Sequence, residues 1–334
     1  MVMEEEILIK AQDKENKNEI LLYLLKNKGN YVSGEELSEK LKVTRTAIWK
    51  HINVFKKLGY EIDSVPRLGY CLKNSPDLFI PEEIWKDDNI KFLGSKIYYF
   101  DTIGSTNEKA KILALEGAPH GTLVLSEKQT KGKGRLGRKW ESPDKQGIWL
   151  SIILRPSLTP EEAPKITLIT AVACAKAIRE QGVNCAIKWP NDILYKEKKL
   201  AGILTEISAE MDKINHVVVG IGINVNTKSF PEELEDIATS LYLIKNEYIE
   251  RVPLLLTFLK GFELYYSELE KGNFSEVLKE WKNLNCTLGR KVRIIGKNFE
   301  VEGEACDIDE FGALLIKKDD GTFERILSGD VSLR

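Results

Sequence analysis

The spacing of apolar residues changes twice along this 334-residue chain, so one repeating unit cannot account for all of it. In the first 60 residues or so, the apolar positions recur at helical spacing. From about residue 80, strand-like and helix-like segments are mixed, and from Cys286 to Arg334 short strand-like runs alternate with turns. This order predicts an α+β protein of several domains, which suits the length because a domain averages about 150 residues.

Composition excludes several classes of protein. Charged residues make up 30% of the chain and hydrophobic residues 43%, a balance typical of globular rather than disordered proteins. The longest stretch without a charged side chain is Ile214–Thr227, which is shorter than the about twenty residues that span a membrane. The five cysteines have no zinc or redox spacing, and the N-terminus is acidic where a signal peptide is basic. We therefore expect a cytoplasmic protein without a membrane span.

Residues 1–73 are predicted to form a winged helix-turn-helix domain, followed by a linker over 74–82. Three short helices, the last two separated by a brief turn, precede a strand hairpin, which is the order of that motif. Ser33 and Thr44 stand at the N-cap positions of the second and third helices. The inner side of the third helix is predicted to be formed by Ala47, Ile48, Ile52, Phe55 and Leu58.

The charge of this domain indicates a nucleic-acid partner. Between Lys40 and Lys73, eight basic residues stand against two acidic ones, although the net charge of the whole chain is only −2. The second helix of such a motif enters the DNA major groove, while basic side chains around it contact phosphates. The predicted DNA-binding residues are Ser33, Thr44, Arg45, Thr46, Trp49, Lys50 and Arg67. The alternative is a protein-interaction domain with a solvated basic face.

After the linker, strands and helices follow each other without strict alternation, which favours a mixed sheet. The predicted central strands are Ile97–Phe100, Thr122–Ser126, Gly147–Leu154, Leu200–Ile207 and Val217–Asn224. The predicted helices are Thr106–Glu116, Ile166–Gln181, Arg251–Leu269 and Phe274–Leu284. A small C-terminal β-barrel is predicted from the strands Lys291–Ile295, Phe299–Asp307, Ala313–Lys317 and Phe323–Ile326.

A second basic segment, from Lys128 to Trp140, is rich in glycine. It contains six basic residues and no acidic one, and its three glycines let backbone N–H groups approach an anion. It lacks the Gly-Lys-Ser/Thr ending of a Walker motif and the strand–helix context of a dinucleotide-binding fingerprint. It is predicted to be either an anion-binding loop or a flexible basic surface loop.

Three further segments combine polar side chains with glycine or proline. In Lys188–Asp192 a cation, an amide and a carboxylate surround a proline turn, which suits phosphate binding but also a turn with a buried tryptophan. Lys198–Leu204 is predicted to be a strand whose glycine lets a ligand approach, or an edge strand protected by lysines. Gly220–Asn226 is predicted to be a strand whose asparagines bind a ligand or are satisfied in the core.

Together and in this order, the central segments resemble the catalytic domain of biotin protein ligases. The matching segments are Ser105-Thr106-Asn107, Gly132–Trp140, Lys188–Asp192, Lys199–Gly202 and Gly220–Asn224. With its N-terminal domain, nearly the whole chain resembles the family of bifunctional biotin protein ligases and biotin operon repressors, the BirA type. The resemblance implies a mixed-sheet α/β ligase domain of the biotin/lipoate ligase type over 83–284 and an SH3-like barrel over 285–334.

The resemblance also implies a two-step reaction and a second role. The biotin carboxylate attacks the α-phosphate of ATP, with Mg²⁺, to give biotinyl-5′-AMP and pyrophosphate. A lysine of the biotin carboxyl carrier protein, from acetyl-CoA carboxylase or another biotin-dependent carboxylase, then attacks this adenylate. The adenylate-bound protein is implied to be a homodimer that binds operator DNA and represses genes of biotin synthesis or transport.

The family's ligand contacts carry over to positions of this sequence. The implied biotin-binding residues are Ser105, Thr106, Asn107, Gln129, Gly132, Lys133, Gly134, Arg135, Lys199 and Gly202. The implied ATP- or adenylate-binding residues are Arg135, Arg138, Trp140, Lys188, Asn191 and Asn224. Lys133 departs from the family, which usually has arginine there, so the charge is kept without the forked donor geometry.

Catalysis in such a site is expected to depend on charge and positioning, because a carboxylate and a triphosphate repel each other. The residues expected to carry it are Arg135, Lys188, Lys199 and Asp192. Asp192 is also the candidate Mg²⁺ contact, or the group that orients the acceptor lysine. Two alternatives stay open: a biotin-sensing transcription factor without catalysis, and a lipoate ligase, which shares the catalytic-domain fold.

Overall fold

The computed structural model describes residues 16–211, 213–296 and 299–333. The chain divides into two compact units, Met1–Asp88 and Asn89–Arg334. The division falls after the predicted linker, whose first residue ends a strand and whose last two residues begin a short helix. Among the described residues, no helix has the length and apolar character that a membrane crossing requires.

The first unit is a helix-turn-helix with a two-stranded antiparallel hairpin after it. Its elements are α1 (16–26), α2 (Gly34–Leu41), α3 (Arg45–Lys57), β1 (Glu61–Val65), β2 (Gly69–Asn74) and α4 (Pro81–Trp85). One side of α3 is buried through Ile48, Ile52 and Phe55, while Arg45 and Trp49 on the other side are exposed. The amphipathic pattern of α3 therefore leaves a polar and aromatic face for a partner.

Both predicted N-caps of this unit are confirmed. Ser33 and Thr44 each accept, through the side-chain oxygen, the backbone N–H three residues later, at 3.0 and 3.2 Å. The predicted core position of Leu58 is wrong, since its side chain is 48% exposed. The reason is that Leu58, the C-cap of α3, stands about 90° around the helix from the middle of the stripe formed by Ile48, Ile52 and Phe55, at the edge of the apolar face.

A seven-stranded mixed sheet forms the centre of the second unit, with the strands in the order β3-β4-β5-β9-β8-β7-β6. The strands are β3 (Ile97–Ile103), β4 (Thr122–Gln129), β5 (Gly147–Leu154), β6 (Ala186–Lys188), β7 (Asp192–Tyr195), β8 (Lys198–Glu210) and β9 (Lys213–Asn224). Only β3 and β4 are parallel within this sheet. Because β8 lies between β9 and β7, the alternative of a lysine-protected edge strand is wrong.

Helices cover this sheet. They are α5 (Thr106–Leu115), α6 (Pro164–Glu180), α7 (Leu241–Lys245), α8 (Arg251–Glu270) and α9 (Phe274–Leu284). Helix α5 packs through Ala110 and Leu113 against Val124 of β4 and Ile153 of β5. Its first turn therefore lies directly above the middle of the sheet, and this places the Ser105-Thr106-Asn107 segment beside the central strands.

The C-terminal residues form a separate five-stranded antiparallel sheet within the same unit, in the order β13-β12-β11-β10-β14. The strands are β10 (Lys291–Ile295), β11 (Glu300–Ile308), β12 (Leu314–Lys317), β13 (Phe323–Ile326) and β14 (Asp330–Leu333). All but β14 were predicted, and the SH3-like class stays a prediction. Trp189 joins this part to the central sheet, since its indole N–H donates to Gly312 O at 3.1 Å.

A buried ion pair ties α8 to the sheet. The Arg251 guanidinium lies 2.6 Å from a Glu127 carboxylate oxygen, and both side chains are almost fully buried. Tyr99 donates its hydroxyl to the other Glu127 oxygen at 2.9 Å. Burial and the Glu127 carboxylate raise the pKa of Tyr99, so the phenol stays protonated and remains a donor.

We expect Arg251→Met to lower the free energy of unfolding by about 3–5 kcal/mol, because it leaves the Glu127 carboxylate buried without its cation. Urea denaturation followed by circular dichroism measures this change. The matched control is Arg293→Met, since Arg293 makes an equally short contact with Glu300, at 2.6 Å, on the exposed C-terminal sheet. That variant should leave the free energy of unfolding almost unchanged, because an exposed ion pair contributes little to stability. Equal losses in the two variants would contradict the importance of burial.

Candidate active site

One cavity of about 400 Å³ in the second unit gathers the residues that sequence reasoning assigned to ligands. Every residue predicted to bind biotin or ATP lines it, with the exception of Gly132, and so does Asp192. Gly132 lies just behind the wall, where its carbonyl accepts the N–H of Trp140 at 3.0 Å. Segments more than 100 residues apart in the sequence therefore meet around a single space.

The glycine-rich loop borders this cavity, although Leu136 and Arg138 are largely exposed to solvent. It folds back on itself, because Gly134 N–H donates to Arg138 O at 2.7 Å. The indole of Trp140 lies over Gly202 of β8 and Gly222 of β9, which are directly paired in the sheet. A Cβ on Gly222 would stand 2.5 Å from Trp140 Nε1, so only glycine leaves room for the indole.

Two arginines of the loop are held by the C-terminal sheet. Arg138 forms an ion pair with the Asp330 carboxylate. Arg135 donates to Asn191 Oδ1 at 2.9 Å and to the Gly329 carbonyl at 3.3 Å. Burial lowers the pKa of Arg135 from its usual value, yet an arginine side chain keeps its charge in proteins at neutral pH.

Two lysines add to the positive lining. Lys199 lies 2.6 Å from an Asp192 oxygen, and its ammonium group is 5.4 Å from the centre of the Trp140 ring. Lys188 lines the same cavity from the last position of β6. With Arg135 and Arg138, these lysines are four of the six basic residues that the structure describes around a space that is large enough for a small molecule, the other two being Lys133 and Lys139 of the glycine-rich loop.

A hydrogen-bonded cluster lies at the start of α5. The backbone N–H and the hydroxyl of Thr106 are 2.8 and 3.1 Å from Gln129 Oε1. The Gln129 amide N–H donates to Ser142 Oγ at 2.8 Å. Ser105 caps α5 at 3.5 Å, and the Asn107 amide N–H groups donate to protein acceptors on β8. This end of the cavity is uncharged and its polar groups are held in place.

Lys133, the departure from the family pattern, makes an exposed ion pair. Its ammonium nitrogen is 2.9 Å from Glu108 Oε1 in the first turn of α5. Lys111 contacts the same carboxylate at 2.6 Å, and hydrogen bonds from these two lysines lower the pKa of Glu108. The glycine-rich loop is thus linked to α5 through a charge that an arginine would also supply.

Sequence reasoning missed several contributors to the cavity, and two of them come from segments that it did not single out. Asp330 lines it from β14, and an apolar segment after β9 lines it through Phe230, Leu234, Ile237 and Ala238. This segment is fastened to the start of β8, because Lys199 N–H donates to Ile237 O at 2.7 Å. Its apolar residues recur at near-helical spacing, a signal that could have singled out the segment, whereas nothing local marks Asp330.

The predicted DNA-binding residues lie on the first unit. Ser33 and Thr44 are the helix caps described above, and Arg67 is exposed in the turn between β1 and β2. Thr46 and Lys50 are exposed on α3, as is Trp49 with 60% of its surface accessible. Arg45 lies 3.2 Å from Glu35 of α2 in an exposed ion pair.

Three protein-family models match this chain. Residues 16–71 match an HTH domain, residues 99–224 match the biotin/lipoate A/B protein ligase family, and residues 287–334 match the biotin protein ligase C terminal domain. The chain is 40% identical to the bifunctional ligase/repressor BirA of Bacillus subtilis over 317 residues, or 94% of this chain and 97% of that protein. Identity to BirA of Escherichia coli is 29% over 94% of this chain and 96% of that protein.

A solved structure agrees with these matches. The biotin protein ligase from Aquifex aeolicus in complex with biotin and ATP is 32% identical to this chain. It superposes with a TM-score of 0.63 and covers 72% of this chain and 99% of its own. The fold and the cavity thus define a protein ligase of the biotin and lipoate class that carries a helix-turn-helix domain.

The chain belongs to the family of bifunctional ligase/repressor BirA proteins, because its similarity to the Bacillus subtilis member extends over nearly the whole of both chains. The match of residues 287–334 to a biotin ligase domain argues against the lipoate ligase alternative. The match of residues 99–224 to the ligase family argues against a transcription factor without catalysis.

We expect Gly222→Ala to lower kcat/KM for biotinylation at least tenfold, because the added methyl group displaces the Trp140 indole. Steady-state kinetics measures the loss, and tryptophan fluorescence reports the moved ring. Gly104→Ala is the matched control, since a Cβ there meets no atom within 4 Å and the backbone is not left-handed. Unchanged kinetics of Gly222→Ala would show that the ring's position does not matter.

Proposed function

We propose that the cavity binds biotin and ATP together and joins them as biotinyl-5′-AMP. The observation that carries this proposal is the convergence of basic side chains beside an uncharged hydrogen-bonding end. A biotin carboxylate oxygen attacks the α-phosphorus and pyrophosphate leaves. A lysine amine of the acceptor protein then attacks the carbonyl carbon of the adenylate, so that an amide forms and AMP leaves.

The two ends of the cavity suit the two substrates. The uncharged end, with Thr106 and Gln129, matches the ureido ring of biotin, which has N–H donors and a carbonyl acceptor. The cations Arg135, Lys188 and Lys199 face the region where the carboxylate and the phosphates meet, and there they lower the repulsion between two anions. The flat face of Trp140 suits the adenylate.

No nucleophile or covalent enzyme intermediate is needed for this chemistry. The protein's contribution is to hold two reactants at attack distance and to stabilise the charge that develops on the α-phosphate. The glycine-rich loop and the apolar residues Phe230, Leu234 and Ile237 border the same space. They would exclude water from the mixed anhydride, which water otherwise hydrolyses.

Asp192 has the chemistry to contact Mg²⁺ beside the phosphates. Magnesium is usually held by one or two carboxylates together with substrate phosphates, and no protein cage is required. One Asp192 oxygen is already 2.6 Å from Lys199, so the carboxylate also positions that lysine. Bound Mg²⁺ would neutralise charge on the leaving pyrophosphate.

A separate hypothesis is that Asp192 orients the acceptor lysine. Normal transfer of biotin from preformed adenylate by the Asp192→Asn variant would refute it.

The wider role follows from the two units. We propose that the acceptor is the biotin carboxyl carrier protein of a biotin-dependent carboxylase, and that the adenylate-bound protein forms a homodimer on palindromic operator DNA. One surface that serves both partners makes carrier binding and dimerisation mutually exclusive.

We place the winged-helix domain at 1–73, the linker at 74–82, the ligase domain at 83–284 and the C-terminal domain at 285–334. The five reduced cysteines suit a cytoplasmic location.

Analytical ultracentrifugation with a labelled palindromic promoter fragment from a biotin operon tests the coupling of the two roles. The protein should dimerise and bind the fragment only when biotin and ATP are both present. DNA binding that ignores biotin and ATP would leave the ligase assignment intact and refute the ligand-gated repressor.

The first chemical step should depend on Lys188. We expect Lys188→Ala to slow biotin-dependent exchange of pyrophosphate into ATP by about 10²–10³-fold, because it removes one charge that stabilises the phosphoryl transition state. Transfer from preformed biotinyl-5′-AMP should fall much less. Lys176→Ala removes a like charge from α6, where Lys176 pairs with Glu280, and should leave both steps unchanged. Equal exchange rates for Lys188→Ala and the wild type would remove Lys188 from catalysis.

DNA recognition should depend on Arg45. We expect Arg45→Ala to weaken specific binding to the operator fragment by about 1–3 kcal/mol if this arginine contacts a guanine edge. Biotinylation activity should not change. Lys28→Ala, an exposed charge in the turn after α1, serves as the control. An equal loss of affinity for all DNA sequences would assign Arg45 to a phosphate contact instead. The slope of log affinity against log salt concentration would then also become smaller by about one unit.

A further inference from the structure

A single hydroxyl side chain interrupts the most buried strand of the sheet. Strand β5 is buried at every position, and Ser151 is its one hydroxyl residue, with no surface accessible to solvent. A buried hydroxyl needs hydrogen-bond partners, since an unpaired one is costly. Ser151 does not line the cavity, so its partners determine what it can contribute to the site.

Ser151 contacts two residues of the predicted biotin-binding segment. Its Oγ is 2.5 Å from Asn107 Oδ1 and 2.8 Å from Thr106 Oγ1. The orientation of the Asn107 amide is fixed because its nitrogen donates to Leu204 O and to Glu206. Asn107 Oδ1 can therefore only accept, and the Ser151 hydroxyl is its donor.

The sheet is shaped to receive the Asn107 amide. Gly220 of β9 is paired directly with Ser151 of β5, and a Cβ at Gly220 would stand 2.1 Å from Asn107 Oδ1. The Leu204 carbonyl that accepts from Asn107 belongs to the next strand, β8. Three adjacent strands thus hold the first turn of α5 in one position.

Counting protons defines the role of the Thr106 hydroxyl. It has one proton, and both oxygen atoms near it, Gln129 Oε1 at 3.1 Å and Ser151 Oγ at 2.8 Å, belong to the protein. The Thr106 hydroxyl donates this proton to Gln129 Oε1, while Ser151 shares its own proton between Asn107 Oδ1 and Thr106 Oγ1. The Thr106 oxygen therefore has no proton to give to the cavity and keeps a lone pair for it. Towards a ligand Thr106 is therefore an acceptor, and it matches a ligand N–H.

We propose that Ser151 is a positioning residue that fixes the Thr106 hydroxyl as the acceptor for a ureido N–H of biotin. The proposal rests on the proposed function, in which Thr106 contacts biotin. It also gives the site a means of selection, because a dithiolane or a purely apolar ring offers no N–H at this point and leaves the fixed acceptor unpaired.

A double-mutant cycle of biotin binding, measured by isothermal titration calorimetry, tests this role. We expect Ser151→Ala to weaken biotin binding about tenfold, the size of one lost buried hydrogen bond. Thr106→Val should weaken it at least as much, and the double variant should match Thr106→Val alone. ATP binding should not change, since Ser151 acts only at the uncharged end.

Controls separate positioning from general stability. Ser126→Ala removes an equally buried serine from β4, whose hydroxyl donates to Lys128 O at 3.2 Å, and it should not alter biotin affinity. Ser151→Cys keeps a weak donor and should bind biotin with an intermediate affinity. This variant also keeps the test possible if Ser151→Ala does not fold. Two results would overturn the role of Ser151 while leaving the biotin assignment of Thr106 intact. One is that the losses of the two single variants add in the double variant. The other is that the Ser151 variants keep wild-type affinity although Thr106→Val is weakened. Unchanged affinity of Thr106→Val would overturn the role of Ser151 together with the biotin assignment of Thr106.

Discussion

Repulsion between like charges is the constraint on which the arrangement around the cavity depends. Basic side chains surround a space of about 400 Å³, and each would push the others apart without acceptors between them. Asp192, the first residue of β7 in the central sheet, pairs with Lys199. Asp330, the first residue of β14 in the C-terminal sheet, pairs with Arg138. The C-terminal sheet is therefore part of the site, because it supplies the counter-charge of Arg138.

Close approach is the second condition for this site. The Trp140 indole reaches the sheet because Gly202 and Gly222 are paired and carry no side chains, and the Asn107 amide reaches it because Gly220 faces Ser151. In both places a missing methyl group lets a predicted ligand-binding segment lie on the strands, so the positions of these segments follow from the pairing register.

The success of sequence reasoning depended on how local each signal was. The strand Gly147–Leu154 and the helix Phe274–Leu284 were predicted with their observed bounds, because their apolar patterns are long and continuous. The caps Ser33 and Thr44 were predicted from a short spacing that acts within one helical turn. Leu58 was misassigned because helical spacing alone does not show where the buried stripe of a helix has its edge.

The order of the residues alone determined the class of fold, the helix caps and the two basic segments, because hydrophobic spacing and capping act between near neighbours. The predicted ligand contacts came from the resemblance of the chain's motifs to those of biotin protein ligases. Folding added the contacts that no local pattern contains. Asp330 meets Arg138 across 192 positions, and Ser151 meets Thr106 across 45. Such pairs depend on strand order and register, which the burial of the whole core selects, and one strand's residues do not specify them.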